Sequence, residues 1–335
     1  MDIEFLYLTQ ADVRATGLDM SLVLEAVEDS FRLHHQGQTN LPWKTVLDLG
    51  ERERGRVNAM PAYVGGPYDV CGIKWIAGFP GNPAKHNLPR ATGLLILNDS
   101  WTGVPLAVMD ATLISAMRTG AVTGVGAKYM ARPDSQVVGM IGTGVQARTQ
   151  LEALKTVLPG LRECRAFDVV RERADAYAAE MSTRLGMDVR AVDSAEEAVV
   201  GADVVVTVTV ADEPIVKDTW MKPGSFFSAV GSYQEEEFTV IQHSDKIVVD
   251  GWEHVMHRGT PVLALMCKEG LIGEDDIYAE LGEIVCGEKP GRETPSERIF
   301  FSPIGMGTED VCVGFKVYQA ARSRGIGTTL KLFGE

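Results

Sequence analysis

Residues 137–147, Val-Val-Gly-Met-Ile-Gly-Thr-Gly-Val-Gln-Ala, limit the possible folds of this chain more than any other stretch. An apolar run stops at Gly142, a two-glycine turn comes next, and a helix-compatible run begins at Val145 and Gln146. The spacing is G-x-G-x-x-A, with Ala147 in the last place. Glycines there let the backbone turn sharply and approach a pyrophosphate, and the helix start supplies amide donors and the positive end of a dipole. A bare match of this kind is weak. Its position between a strand and a helix is the context that gives it meaning.

Beyond the turn the same alternation repeats. Strands are expected at 136–141, 165–167, 204–208, 225–230 and 246–249, with helices at 146–157 and 171–186 between the early ones. Alternation of this sort predicts an α/β fold, a doubly wound parallel Rossmann sheet covered on both faces. The first third reads differently. A helix over 18–36 precedes extended runs at 45–49, 57–63, 70–78, 91–98 and 104–111, separated by Gly, Pro and Asn-Asp clusters. Strands in succession predict an antiparallel or mixed sheet. A Gly- and Ala-rich helix is expected over 112–131, and a last helix over 309–324, stopped by Gly325 and returning to the first domain. The expected division is therefore 1–118 with 309–335 as one α+β domain and 119–308 as the Rossmann domain. A chain of 335 residues has room for two domains of about 150.

Asp168 stands at the end of the second strand of the alternating series. A carboxylate there can accept from a ribose 2′-hydroxyl and repels a 2′-phosphate, so NAD(H) is preferred to NADP(H). Arg171 and Arg173 come soon after and keep NADP(H) as the alternative. Gly142, Thr143, Gly144, Val145 and Gln146 form the turn itself. Thr207 and Thr209 close the strand at 204–208, and Val230 and Ser232 the strand at 225–230. Carboxyl ends of parallel strands are where ligands bind, so these residues are expected to line the nicotinamide ribose.

Acidic residues number 46 and basic ones 32, giving a net charge of −14. No Lys/Arg block interrupts this, which argues against nucleic acid or an anionic membrane as partner. No run of about 18 apolar residues offers a spanning helix, and the start, MDIEFLYLTQAD, lacks the features of a secretory signal. Five cysteines without a Cys-x-x-Cys fit a reducing compartment, hence the cytoplasm, and argue against structural zinc; no metal site is expected. Against this acidity, Lys44, Lys74 in Gly72-Ile-Lys-Trp-Ile76, and Arg118 in Ser115-Ala-Met-Arg-Thr-Gly120 stand out. A charge in an apolar segment is costly unless paired or bound to a ligand. A small carboxylate would satisfy these cations, and so would internal ion pairs. His254 and His257 are acid–base groups by type alone, and Glu235-Glu-Glu237 reads as a solvated loop.

The stretch from Val104 through Asp110, Arg118-Thr-Gly-Ala121 and Ala127-Lys-Tyr129 to Gly142-Thr-Gly-Val-Gln146 resembles the ornithine cyclodeaminase/mu-crystallin family. So do Met60-Pro-Ala62, Gly72-Ile-Lys74, Leu97-Asn-Asp99 and Leu281-Gly-Glu-Ile284. The resemblance spans essentially the whole chain. It implies a homodimer in which a Rossmann domain sits between two chain ends that form a dimerising, substrate-binding domain, with NAD(P) in the cleft. It also implies that Lys74 and Arg118 hold a substrate carboxylate, with Lys44, Arg56 and Asn58 near the substrate. Thr119 and the glycine turn face the cofactor, and Ser302 lies near the nicotinamide.

Departures from the family narrow the reading. Cyclodeaminases carry Glu where Asn58 stands, and an Asp in a Gly-Gly-Asp stretch where Tyr233 stands. Two acids suited to a cationic diamine are therefore missing, which counts against ornithine cyclisation to proline and ammonia; alanine dehydrogenases share that Asp. Arg90 replaces a Thr found in many members, which suggests a second anionic group on the substrate. The expected activity is NADH-dependent reduction of an imino acid derived from a 2-oxo acid to an amino acid, the candidate substrates being an imine bearing two carboxylates, such as iminosuccinate, or a carboxylated opine. Lys74, Arg118 and Tyr233 are the catalytic candidates, with Lys74, Tyr233 or a water as proton donor. The alternatives are a cyclodeaminase using NAD internally and a non-catalytic mu-crystallin-like binding protein.

Overall fold

The computed structural model describes every residue except Met1, Glu51, Glu53, Arg54, Asp212, Ser232 and Glu335. The chain forms two compact units, residues 1–118 with 306–335 and residues 119–305. Strands β1 (Ile3–Leu8), β2 (Thr39–Asn40), β3 (Thr45–Asp48), β4 (Arg56–Val64), β5 (Val70–Gly78), β6 (Ala91–Asp99) and β7 (Pro105–Asp110) lie in the first unit. Strands β8 (Val137–Ile141), β9 (Glu163–Phe167), β10 (Asp188–Ala191), β11 (Val204–Thr207), β12 (Phe226–Ala229), β13 (Lys246–Val249), β14 (Ala279–Glu280) and β15 (Ile299–Ser302) lie in the second. β16 (Thr328–Phe333) returns to the first.

The first sheet runs β16-β1-β7-β6-β5-β4-β2, with β3 also on β4. β4 to β7 form an antiparallel meander, and β1 joins β7 in parallel, so the sheet is mixed. Side chains alternate across a strand. One face buries Met60, Ala62, Val64, Leu95, Leu97, Ala107 and Met109 against the helices Met20–His35 and Gly307–Arg324. The first of these helices starts on Asp19, whose carboxylate accepts from the Leu22 amide at 2.9 Å, a cap worth about 1 kcal/mol. The second approaches the sheet closely through Gly314, where a Cβ would lie 2.1 Å from Leu95 Cδ2. On the opposite face Trp75 pairs with Leu94, Ile73 with Ile96, and Ile96 with Val108. Trp75 and Leu94 are 47% and 43% exposed, so within the unit this apolar face is uncovered.

The second sheet is parallel throughout, in the order β10-β9-β8-β11-β12-β15-β13-β14. Val204, Val205 and Val206 are fully buried, as strands covered on both faces require. Phe226 stacks on Phe301 and Phe227 on Phe300, each ring contributing about 1.5–3 kcal/mol through burial. Strand order reverses between β8 and β11, the switch point at whose carboxyl ends such sheets bind ligands. Among the described residues no helix is long and apolar enough to cross a membrane.

Candidate functional site

In the first unit Lys74, on β5 opposite Met60, is 1% exposed. Its Nζ lies 2.6 Å from Asp310 Oδ2 and donates to Ser115 Oγ at 3.2 Å. Arg118 donates from Nη1 to Glu309 Oε2 at 2.7 Å and from Nε to Asp310 Oδ1 at 3.1 Å. Glu309 and Asp310 are fully buried in the first turn of the helix Gly307–Arg324. The positive end of that helix favours carboxylates there, and Glu309 Oε1 also accepts from the Met306 amide at 2.9 Å. The charges of Lys74 and Arg118 are thus met inside the protein, by two acids that sequence reasoning missed. Their signal was a Glu-Asp pair opening a helix and leading into apolar Val311-Cys-Val313, where a solvated acid would be out of place. Burial, then the Arg118 guanidinium, pulls the Lys74 ammonium down to about 8, against the opposing pull of Asp310. Burial holds the Glu309 carboxyl above its usual range.

Asn58 lies on β4 opposite Ile76, on the sheet face that carries Lys74. Its Oδ1 is buried without a hydrogen-bond partner. Arg56 opens β4, and Arg90 directly precedes β6. Desolvation by the surrounding chain, then the nearby Arg56 guanidinium, hold Arg90 below the usual arginine value, although the residue is exposed. Arg90 makes no ion pair among the described residues. Lys44, just before β3, is half-buried.

In the second unit Gly142 takes φ +92°, and a Cβ there would lie 3.0 Å from Val208 O, so the turn requires glycine. Gly144 opens the helix Val145–Val157 without a side-chain cap and has open space where a Cβ would stand. Asp168, just beyond β9, accepts from the Thr143 amide at 3.0 Å and Thr143 Oγ1 at 2.9 Å, and from the Val170 amide at 3.0 Å. Arg148, absent from the sequence reading, donates to the Thr143 and Gly144 carbonyls at 2.9 and 3.0 Å. Val145 is 67% exposed, while Gln146 Oε1 is buried and lacks a partner. Thr207 is fully buried with Oγ1 unpartnered, and its carbonyl accepts from the Val230 amide at 3.0 Å. Ser302 closes β15 and is buried; the Thr119 carbonyl accepts from Gln150 Nε2 at 3.2 Å. Arg171 pairs with Asp175 and Asp193, whereas Arg173 is exposed. Tyr233 is 41% exposed, and Ser232 lies outside the described residues. Uncapped amides, an open glycine and the orphaned Gln146 Oε1 at the helix start fit a dinucleotide.

The acidic run 235–237 is not a solvated loop. Glu235 and Glu236 are buried, at 1% and 0% exposure. The Ile215 and Val216 amides donate to the Glu235 carbonyl at 2.8 and 3.1 Å, and Val216 bridges Glu236 in parallel. This backbone pairing draws both side chains inward. Glu235 Oε1 accepts from the Thr209 amide at 2.6 Å, while neither oxygen of Glu236 has a partner. Burial raises both carboxyls, and Glu235 adds to the rise at Glu236. His257 is exposed and His254 half-buried.

The chain is 34% identical to the N-((2S)-2-amino-2-carboxyethyl)-L-glutamate dehydrogenase of Staphylococcus aureus, over 99% of this chain and 100% of that one. It is similar in structure to the Δ1-pyrroline-2-carboxylate reductase of Thermococcus litoralis, solved with NADH and L-proline (TM-score 0.90, 36% identity, 97% and 99% of the two chains). It is also similar to an archaeal alanine dehydrogenase dimer with bound NAD (TM-score 0.88, 36% identity, 99% and 100%). The model of the ornithine cyclodeaminase/mu-crystallin family matches residues 4–325. With the two cations and the glycine turn both in that matched span, the chain belongs to the ornithine cyclodeaminase/mu-crystallin family.

Proposed function

We propose that this protein is an NADH-dependent reductase of imino acids, and that its substrate carries two carboxylates, as iminosuccinate does. Reduction of the C=N bond needs a hydride at carbon and a proton at nitrogen. Gly142–Gln146 at the uncapped helix start would hold NADH, which when bound would supply the hydride. Asp168 selects the unphosphorylated ribose; Thr143 and Val170 use three of its acceptor sites, and a carboxylate offers about four. Thr119, Thr207, Thr209, Val230 and Ser302 line the nicotinamide end in this reading.

The observation that carries the substrate class is the Arg56–Arg90 neighbourhood. Glu309 and Asp310 already balance Lys74 and Arg118, so these two supply direction more than net attraction. They orient the carboxylate beside the imine carbon, which places that carbon for hydride attack. Arg90, which has no ion pair of its own among the described residues, takes the second carboxylate, with Arg56 and Lys44 beside it. The orphaned Asn58 Oδ1 accepts from the substrate N–H. A neutral amide here, in place of an acid, also counts against a cationic diamine and hence against ornithine cyclisation. Lys74, with its ammonium near 8, gives the proton to nitrogen; Tyr233 is the other candidate. The uncovered face of Trp75, Leu94, Ile73, Ile96 and Val108 packs against a second copy to form a homodimer.

The test is consumption of NADH and NADPH with oxaloacetate plus ammonium, pyruvate plus ammonium, cyclic imines and ornithine. NADH should be used fastest with the dicarboxylic imine. Arg90→Ala should erase that preference by roughly 10–100-fold, the loss of one charge-assisted bond of about 1.5–3 kcal/mol. Equal turnover of mono- and dicarboxylic imines by both proteins rules the reading out. Nucleotide binding with no turnover on the whole panel supports a binding protein instead.

A further inference from the structure

The buried cluster in the first unit holds two cations and two acids, yet the two acids do not touch the same groups. Asp310 spans both cations, with Oδ2 at 2.6 Å from Lys74 Nζ and Oδ1 at 3.1 Å from Arg118 Nε. Glu309 meets Arg118 alone and spends its other oxygen on the Met306 amide. We propose that Asp310 is a positioning residue that keeps Lys74 in its protonated form, while Glu309 serves to hold Arg118. This deepens the reading of Lys74 as proton donor and rests on that reading only for its catalytic consequence.

The groups facing Lys74 come from three elements. β5 carries Lys74 itself, the helix Thr112–Met130 brings Ser115 and Arg118, and the helix Gly307–Arg324 brings Glu309 and Asp310. Burial and Arg118 both favour the neutral amine, and Ser115 is uncharged. Among these groups Asp310 is the negative charge in direct contact with Nζ. An ammonium at 1% exposure beside a guanidinium loses its proton readily once that charge is gone. Asp310→Asn keeps the shape and removes the charge, so Lys74 then titrates at lower pH. During turnover the Nζ–H bond breaks, the proton goes to the substrate nitrogen, and the amine is reprotonated from solvent. The electron pair that reduces carbon comes with the hydride.

The tuning is read first without turnover, from thermal unfolding of the full chain between pH 6 and 9. Asp310→Asn should be much less stable than the unaltered protein at pH 6, where both hold a buried ammonium. Its deficit should narrow as pH rises, because its Lys74 is neutral sooner. In a Lys74→Met background the same substitution should show no such narrowing. A deficit that is flat with pH, or that narrows equally without Lys74, overturns the proposal. If Asp310→Asn does not fold, Asp310→Ser, which also removes the charge in contact with Nζ, takes its place with the same expected narrowing, and a deficit flat with pH or unchanged by Lys74→Met overturns the proposal.

The catalytic consequence is read as the ratio of Asp310→Asn to unaltered turnover at each pH, which cancels titration of ammonium and imine. The ratio should fall about tenfold for each pH unit between the two Lys74 values, and Asp310→Glu should restore it. Glu309→Gln should raise KM and move the profile less; an equal or larger movement overturns the division of labour. Thermal curves that behave as expected in a protein inactive on every imine support the tuning and refute the reductase reading.

Discussion

Gly120 sits two residues after Arg118 in the helix Thr112–Met130, and Gly120→Ala tests how tightly that helix is packed. In an unhindered helix interior alanine is better than glycine by about 1 kcal/mol. Here the added Cβ would lie 2.4 Å from the Thr149 carbonyl oxygen, 2.5 Å from its carbonyl carbon and 2.9 Å from Thr149 Cβ. These are mainly backbone atoms of the helix Val145–Val157, so no rotamer change relieves the overlap. Overpacking of this kind costs about 1–3 kcal/mol, and backbone contact places it at the upper end. After the propensity gain the variant should lose about 2 kcal/mol, which lowers Tm by about 4–8 °C for a unit of this size. The displaced helix begins at Gly144, so NADH affinity should weaken as well. Urea unfolding monitored by circular dichroism, with NADH titration by fluorescence, measures both. Gly160→Ala, whose Cβ would meet nothing nearer than 3.5 Å, is the control and should change little. A Gly120→Ala protein as stable as the unaltered one refutes the packing argument.

Three other substitutions probe separate parts of the molecule. Asp168→Ala should weaken NADH more than NADPH and loosen the Thr143 turn; equal losses for the two nucleotides, measured by calorimetry, refute the ribose role. Glu236→Gln should gain stability relative to the unaltered protein as pH rises above 5. The folded carboxyl is raised above the ordinary 4.5, so its contribution is whole below that value and is lost as pH climbs towards the raised one; a gap constant with pH in thermal melts counts against this. Trp75→Glu should yield a folded monomer in sedimentation experiments, and a persistent dimer would place the interface elsewhere.

Local pattern accounts for what was legible in the sequence. The glycine turn, the alternation after it and the meander before it are set by residues near one another, and the strands and helices read from them occur within a few positions. The sites that escaped are made by distant pairs. Arg118 meets Glu309 and Asp310 across 191 and 192 residues, so no spacing rule joins them, and a Glu-Asp pair at a helix start looks like ordinary dipole matching. β1 and β16 pair the two ends of the chain, Phe5 against Leu330, and neither end alone marks itself as a strand. At Glu235 and Glu236 composition misled, because backbone bonds to residues 215 and 216 outweigh the preference of acids for water. The orphaned Asn58 oxygen depends on three-dimensional burial and has no sequence signature.

The triple engagement of Asp168 limits how this enzyme lineage could change its redox currency. On the proposed ribose role, the side chain that would have to disappear to admit a phosphorylated ribose is also the acceptor for two donors of Thr143 and one of Val170. A one-step exchange therefore loses the shape of the glycine turn along with the proposed selectivity. Evolution or design towards the other nucleotide must first install a new acceptor for Thr143, and only afterwards remove the acid.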